Sequence, residues 1–248
     1  MSIPLLWLDD RPGATPCFPP LAHARREPDG LLAAGGRLDP DWLLAAYRRG
    51  IFPWYSGDEP ILWWSPDPRL ILEPSALRIH RSLAQTLRRG DFEVRCDTAF
   101  ADVMTACAAP RADQAGTWIT PAMRDAYVRM HTLGHAHSVE CWRDGELAGG
   151  LYGMEIGGVF FGESMFTRVR DASKVALAHL CRFVEARGVR MIDCQMTTPH
   201  LVSLGARECS RADFANALAR LTVLPQPPGR WPARPFDASV AWKKTPSA

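Results

Sequence analysis

The chain has 248 residues, of which 47% are hydrophobic and 23% are charged. This composition excludes fibrous and disordered classes, and the length allows a small domain beside a larger one. No apolar run approaches the roughly 18 to 20 residues that cross a bilayer, and the first residues do not follow the pattern of a secretory signal. We therefore expect a cytoplasmic protein with no membrane contact. The 7 cysteines lie far apart in the sequence, which argues against a disulfide framework and a cysteine-based zinc site.

The net charge is a formal +2, from 29 basic and 27 acidic residues, which is too small to indicate a polyanionic partner. It is unevenly divided, because residues 1–70 are net −2 and the remainder is net +4. Lys174 is the only lysine outside the C-terminal tail, so arginines supply nearly all of the positive charge.

Residues 1–70 predict a small, irregular N-terminal domain rich in Trp, Pro and Gly. One helix is readable, with Asp39 as its N-cap, Pro40 in its first turn, the run DWLLAAYRR, and Gly50 closing it in a left-handed conformation. The segments FPP, IFPW and WWSPDPR predict short strands and turns, because each proline interrupts a helix.

Residues 71–248 predict a larger domain with a regular pattern of elements. Apolar residues at helical spacing predict helices near 80–89, 99–108 and 121–133, the last with Thr120 as its cap. Three strands follow, HSVECWR, ELAGGLYGMEI and GVFFGESMF, and turn pairs at 144–145 and 157–158 predict that they form an antiparallel meander.

The chain then continues with a helix over 172–187, the strand VRMIDCQ, a helix opened by Ser210, and a proline-rich tail that we expect to be extended. This order predicts an α+β fold. It is compatible with an acyltransferase that moves acyl groups onto amines, although many α+β domains share the same order.

Asp193 and Gln195 in MIDCQ form the strongest candidate site. Residues i and i+2 of a strand point to the same face, so a carboxylate and an amide should project side by side at the end of an apolar strand. They either cap a neighbouring loop or orient a substrate amine. Cys194 should point the other way, which disfavours a cysteine nucleophile.

Glu163 in GESMF is a second candidate, because a carboxylate among Phe and Met side chains is costly unless it is paired or recognises a cation. A structural salt bridge and a binding role both remain open. The same is true of nearby apolar residues, which either line a pocket or form plain core: Leu151, Phe160, Met165, Leu177, Leu180 and Ile192.

Arg168, Arg170 and Lys174 surround the start of the helix over 172–187, where free backbone N–H groups and positive side chains suit a phosphate. Trp54 and Trp118 lie in predicted loops, where an indole either stacks on a nucleobase or is buried. The histidines of HTLGHAHSVE do not predict a metal site, because Gly134 should end the helix between His131 and His135. We expect no cofactor and no metal.

Twelve blocks of this sequence resemble the bacterial leucyl/phenylalanyl-tRNA–protein transferase family. They run in order from residue 18 to residue 211. The blocks are FPP, GLLAAGGRLDPDWLLAAYRRGIFPWY, ILWWSPDPR, CAAPR, GTWITPAM, AYVRMHTLGHAHSVE, GGLYG, FFGESMF, ASKVAL, IDCQ, HLVSLGA and SR.

The resemblance implies an N-acyltransferase-like larger domain that uses aminoacyl-tRNA as donor. It implies transfer of Leu, less readily Phe or Met, to proteins with N-terminal Arg or Lys, which creates a degradation signal. The expected partners are therefore leucyl-tRNA, phenylalanyl-tRNA and such proteins, with the enzyme acting as a monomer.

The resemblance also assigns roles to residues. It places Asp193, Gln195 and Glu163 in the catalytic or acceptor site and Trp54 and Trp118 beside the terminal adenosine. The six apolar residues named above would surround the donor side chain.

Two other functions remain open at this stage. A CoA-dependent amine acyltransferase would share the fold, but FTRVRDASK lacks the glycine-rich turn that binds pyrophosphate in such enzymes. A non-catalytic RNA-binding protein would bind RNA without making an amide. The small net charge predicts few phosphate contacts and a shallow dependence of tRNA affinity on salt.

Overall fold

A computed structural model describes residues 4–57, 59–109, 117–225, 229–234 and 236. The N-terminal part contains a four-stranded sheet in the order β1-β2-β4-β3, with β1 parallel to β2 and the other pairs antiparallel. Its strands are β1 (Leu6–Leu8), β2 (Leu31–Gly35), β3 (Phe52–Pro53) and β4 (Leu62–Trp64).

The helix predicted in this part is α1 (Pro40–Tyr47), and Gly50 follows it in the left-handed region at φ 76°. Asp39 precedes α1, but its side chain makes no capping hydrogen bond. It instead accepts a hydrogen bond from Arg37 Nε at 2.5 Å. Asp39 is therefore the N-cap residue, as predicted, but the neighbouring arginine takes its carboxylate.

The larger sheet has seven strands in the order β11-β5-β10-β9-β8-β7-β6. The predicted meander is confirmed: β7, β8 and β9 pair antiparallel, whereas β9 and β10 pair parallel. The sheet is flanked by helices, so the predicted α+β fold is confirmed. Its strands are β5 (Arg69–Leu72), β6 (Glu93–Cys96), β7 (Ala136–Arg143), β8 (Glu146–Ile156), β9 (Val159–Thr167), β10 (Met191–Gln195) and β11 (Arg207–Cys209).

Within the described ranges, six further α-helices pack around this sheet or connect its strands. Thr120 and Ser210 cap two of them, because their side-chain oxygens accept hydrogen bonds from the backbone N–H groups of Met123 and Asp213. The helices are α2 (Arg81–Arg89), α3 (Phe100–Ala108), α4 (Pro121–Thr132), α5 (Ala172–Ala186), α6 (Pro199–Ser203) and α7 (Arg211–Leu221).

The two faces of the larger sheet carry two core clusters. The first core cluster contains buried apolar residues from α1, α3, α4 and the small sheet together with Tyr152 and Phe161. The second core cluster contains the buried residues of α2 and α5 together with Leu151 and Phe160. Alternation along β8 and β9 therefore separates neighbouring residues onto opposite faces.

Helix α5 begins directly over β8, and a glycine makes this close approach possible. A Cβ atom built at Gly149 would lie 2.6 Å from Cβ of Ala172, the first residue of α5. A side chain at position 149 would therefore move α5 away from the sheet.

The described tail residues 229–234 form no helix or strand, yet they are tied to the larger domain. Trp231 is buried, and its backbone N–H and its Nε1–H donate to Asp97 and Glu155. The other residues of the predicted extended tail, 226–228 and 235, and Pro110, Arg111 and Gly116 of the matching blocks, lie outside the described residues. Among the described residues, no helix is long and apolar enough to cross a membrane.

Candidate active site

The site lies where the parallel strands β9 and β10 separate. Their paired register ends at Phe161 and Asp193, and Glu163 and Gln195 each lie two residues beyond that pair. Their side chains contact each other across the two strands.

Glu163 is buried and is held by three polar side chains. Its Oε1 accepts hydrogen bonds from the hydroxyl of Tyr47 at 2.6 Å and from Nε2 of Gln195 at 3.1 Å. Its Oε2 accepts one from the hydroxyl of Tyr127 at 3.1 Å. The two tyrosine hydroxyls also contact each other. The carboxylate therefore joins α1 of the N-terminal part, α4 and β10.

Burial, together with the nearby Asp193 carboxylate, raises the pKa of Glu163 to about 7. The tyrosine hydrogen bonds and the positive charge of Arg69 oppose this rise. Burial also raises the pKa of Tyr47 and of Tyr127 well above its ordinary value. Near neutral pH, Glu163 is therefore divided between its protonated and ionised forms, while both tyrosines keep their protons.

Asp193 lies inside the protein and is paired with a buried arginine. Its two carboxylate oxygens accept hydrogen bonds from Nε and Nη2 of Arg69, at 2.8 and 2.6 Å. Neither side chain is more than 1% exposed. The geometry is the two-pronged one that an arginine fork makes with a carboxylate.

Asp193 and Gln195 project to the same face of the sheet, as expected, although β10 contains a bulge between them. Asp193 lies opposite Ile71 and Gln195 lies opposite the next residue, Leu70, so Cys194 is the extra residue of the bulge. Both side chains contact groups beside the first core cluster, because Arg69 lies over Phe52 and Phe214 and Glu163 is held by Tyr47. Gln195 adopts φ 62°, and its backbone N–H donates to Asp193 Oδ1 at 2.9 Å. The carboxylate thus holds the backbone of Gln195, and the Gln195 amide turns to Glu163.

Cys194 packs against the second core cluster, away from Asp193, which confirms its predicted orientation. Burial raises the pKa of its thiol well above the ordinary value. A protonated, buried thiol is a poor nucleophile.

Of the six apolar residues predicted for the donor side chain, five belong to the second core cluster and Met165 packs against it. Five of them are buried, and Met165 is half-buried at its edge. The structure brings the set together, but on the face of the sheet opposite the tyrosine pair. The six are Leu151, Phe160, Met165, Leu177, Leu180 and Ile192.

Trp54 and Trp118 are both half-buried and pack against the first core cluster. The hydroxyls of Tyr55 and Thr120 lie 3.3 Å apart, so the segments that carry the two tryptophans are neighbours. Trp54 also contacts Trp64 edge-on, with ring centroids 5.3 Å apart.

Two of the three cations predicted at the start of α5 share a counter-charge, Asp171. Lys174 Nζ lies 3.2 Å from Asp171 Oδ1, and Arg170 Nε lies 3.8 Å from Asp171 Oδ2. Arg168 donates to the carbonyl of Leu147. Asp171 therefore offsets part of the positive charge, while the Arg170 side chain stays 88% exposed.

Gly134 ends α4 as predicted, but the fold brings His131 and His137 together with Asp97, which sequence reasoning did not foresee. His137 Nδ1 lies 2.8 Å from Asp97 Oδ2, and His131 Nδ1 lies 2.8 Å from the carbonyl oxygen of Ala136. The His137 ring stacks on Trp231 at 4.2 Å. These contacts form a hydrogen-bond network that anchors the tail.

Comparison with known proteins decides the family. Residues 71–219 match the family model described as leucyl/phenylalanyl-tRNA protein transferase, and residues 36–67 match the model for the N-terminal domain of that transferase. The chain belongs to this family. The resemblance read from the sequence is confirmed, and the chain is an enzyme of the transferase class.

Relatives named leucyl/phenylalanyl-tRNA–protein transferase cover nearly the whole chain. The one from Azoarcus sp. (strain BH72) is 66% identical over 91% of this chain and 94% of its own. The one from Aromatoleum aromaticum is 63% identical over 91% and 93%. A solved GCN5-related N-acetyltransferase from Kribbella flavida has a TM-score of 0.36 and 13% identity, covering 69% of this chain and 61% of that one. A similarity of that size supports no argument about this transferase.

Sequence reasoning missed Arg69, Tyr47 and Tyr127 of this transferase. Arg69 begins the apolar strand RLIL, and a charged residue in a buried strand needs a partner of opposite charge. The chain has only 4 tyrosines, and all of them are buried. Those were the available signals, but neither identifies Glu163 or Asp193 as the partner.

Proposed function

We propose that this transferase moves Leu, and less readily Phe or Met, from aminoacyl-tRNA to the α-amine of proteins with N-terminal Arg or Lys. The observation that carries the proposal is the contact between the Gln195 amide and the buried Glu163 carboxylate, just beyond the paired part of β9 and β10. In this proposal Gln195 orients the acceptor amine and the neighbouring Glu163 binds the acceptor's cationic side chain. The product begins with Leu, and the resemblance implies that this residue is a degradation signal.

Glu163 is the proposed site for the acceptor's cationic side chain. A buried carboxylate with a pKa of about 7 is stabilised in its ionised form when a guanidinium or ammonium group binds beside it. Tyr47 and Tyr127 hold both oxygens in place, so the carboxylate presents a defined geometry to that cation.

Gln195 is the proposed partner of the acceptor α-amine. An amide that donates through Nε2 keeps its carbonyl oxygen as an acceptor, which can take an N–H of the amine and direct the nitrogen lone pair toward the ester. An α-amine has a reference pKa of about 7.7 to 8.0, so a useful fraction is already deprotonated near neutral pH. We therefore assign Asp193 and Gln195 an orienting role.

The proposed donor site uses the opposite face of the sheet. The donor side chain enters the second core cluster past Met165, which is half-buried and packs against that cluster. A flexible methionine at the entrance accommodates an unbranched or γ-branched side chain more easily than a β-branched one. We expect leucyl-tRNA to be used and isoleucyl-tRNA to be rejected.

Trp54 and Trp118 are proposed to hold the terminal adenosine, since both indoles are partly exposed on neighbouring segments. Arg168, Arg170 and Lys174 are proposed to contact tRNA phosphates. In support, Arg170 is exposed and lines a cavity of about 340 Å³ together with Arg89.

We place the reaction in the cytoplasm, where aminoacyl-tRNA is made. A monomer is sufficient, because α1, α4, β9 and β10 of one chain supply every group of the proposed acceptor site.

The decisive experiment is incubation with charged leucyl-tRNA and a peptide beginning with Arg, followed by mass analysis. We expect one Leu to be added at the N-terminus. A peptide that begins with Ala is the matched acceptor control, and acetyl-CoA is the matched donor control. Acetylation without leucylation, or tRNA binding without an amide product, would contradict the proposal.

A further inference from the structure

Arg69 is a buried cation that three separate parts of the chain enclose. Its Nη1 donates to the carbonyl of Gly50 at 3.3 Å. Its guanidinium lies over the rings of Phe52 and Phe214, 4.8 and 4.6 Å from their centroids. The two rings therefore contact the plane of the guanidinium, while Gly50 and Asp193 accept hydrogen bonds from the N–H groups at its edge. A lysine ammonium would reproduce neither the fork nor the stacking.

Asp193 makes its contacts inside the protein. Oδ1 accepts from Arg69 Nε and from the backbone N–H of Gln195, and Oδ2 accepts from Arg69 Nη2. A carboxylate that is neutralised and hydrogen-bonded in this way is placed to hold the chain rather than to take a proton from a substrate.

Gln195 needs such support, because φ 62° is unfavourable for a residue with a side chain. The backbone hydrogen bond to Asp193 compensates for this conformation at the bulge of β10. The bulge directs Gln195 Nε2 to Glu163, so a movement of Asp193 would move the Gln195 amide.

We propose that Arg69 is a positioning residue for aminoacyl transfer, acting through Asp193 to hold the Gln195 amide against Glu163. The inference rests on the proposed function. It assigns substrate contact to Gln195 and none to Arg69 or Asp193. A purely structural role for Arg69 would affect folding but would not depend on the side chain at position 195.

The test is a double-mutant cycle of Arg69→Lys and Gln195→Ala, measured as kcat with both substrates saturating. We expect Arg69→Lys to lower kcat about tenfold or more and to change the KM for leucyl-tRNA little, because small displacements near reacting atoms slow the chemical step. In the Gln195→Ala background the same change should lower kcat less than about twofold, since the amide it positions is gone.

Arg187→Lys is the matched control. Arg187 also makes a two-pronged contact with a buried carboxylate, Glu155, and also lies near aromatic rings, those of Phe183 and Trp231. It belongs to the tail-anchoring network, so its conservative replacement should lower the thermal unfolding temperature and leave kcat unchanged.

If Arg69→Lys does not fold, Phe214→Leu, which removes one ring from the guanidinium, enters the same cycle, with a smaller kcat loss expected. Equal fold-losses of kcat with and without the Gln195 side chain would overturn the positioning role, as would an equal kcat loss in Arg187→Lys. A wild-type enzyme that forms no leucyl-peptide would overturn the proposed function itself. If the wild type is active but the effects of Arg69→Lys and Gln195→Ala on kcat are simply additive, only the role of Arg69 is overturned.

Discussion

Replacing Glu163 with glutamine should change how the stability of this transferase depends on pH. Burial raises the pKa of Glu163 from its usual 4.5 to about 7. The folded state therefore holds this proton more tightly than the unfolded state does. The resulting stabilisation is fully present below pH 4.5 and is lost as pH rises through about 7.

The expected magnitude follows from the size of this pKa rise. A shift of one pKa unit corresponds to about 1.4 kcal/mol, so wild type should lose about 2 to 3 kcal/mol between pH 5 and pH 8.5 through this group alone. Glutamine has a similar shape but no charge to bury, so the variant lacks this loss. Relative to wild type, Glu163→Gln should gain stability as pH rises.

Urea unfolding of both proteins at pH 5 and pH 8.5 measures the effect, because groups common to both proteins cancel in the difference. Glu146→Gln, a change at an exposed position, supplies the baseline for removing one carboxylate. A Glu163→Gln difference that stays within about 0.5 kcal/mol at the two pH values would refute the argument from burial.

Three further changes test other parts of the structure. Asp193→Asn leaves the buried Arg69 guanidinium without its counter-charge. It should lower the free energy of unfolding, measured with urea, by about 3 to 5 kcal/mol and should also lower kcat. Full turnover would contradict the orienting role. Trp118→Ala should raise the KM for leucyl-tRNA about tenfold if the indole stacks on a base, and an unchanged KM would exclude that contact. Trp231→Phe keeps an aromatic ring but removes the N–H donor to Glu155. Thermal unfolding should show that the protein loses about 1 to 3 kcal/mol of stability. An unchanged midpoint would show that this hydrogen bond does not contribute to stability.

Local pattern was sufficient to predict most of the central elements. The strand ELAGGLYGMEI is β8 with the same bounds, and the helix predicted over 172–187 is α5, Ala172–Ala186. Both segments show a strong period of apolar residues and have clear turn signals beside them. β6 (Glu93–Cys96), β11 (Arg207–Cys209) and α6 (Pro199–Ser203) are short and were not predicted, because a few residues carry little periodicity.

The division at residue 70 stays a prediction. The first strand of the seven-stranded sheet to occur in the chain, β5, begins at Arg69, and the first core cluster includes residues on both sides of the boundary. Composition changes near this point, but the core is continuous across it.

The sequence by itself determined the family, the meander and the residues Glu163, Asp193 and Gln195, because these depend on motifs and on periods of two or 3.6 residues. Only the tertiary structure decided how those residues are connected. The bulge at Cys194, the pairing of Asp193 with Arg69, and the tyrosines on Glu163 join residues that are up to 124 positions apart. Such contacts form only when strands and helices pack against one another. A local sequence pattern therefore does not predict which two buried side chains will pair.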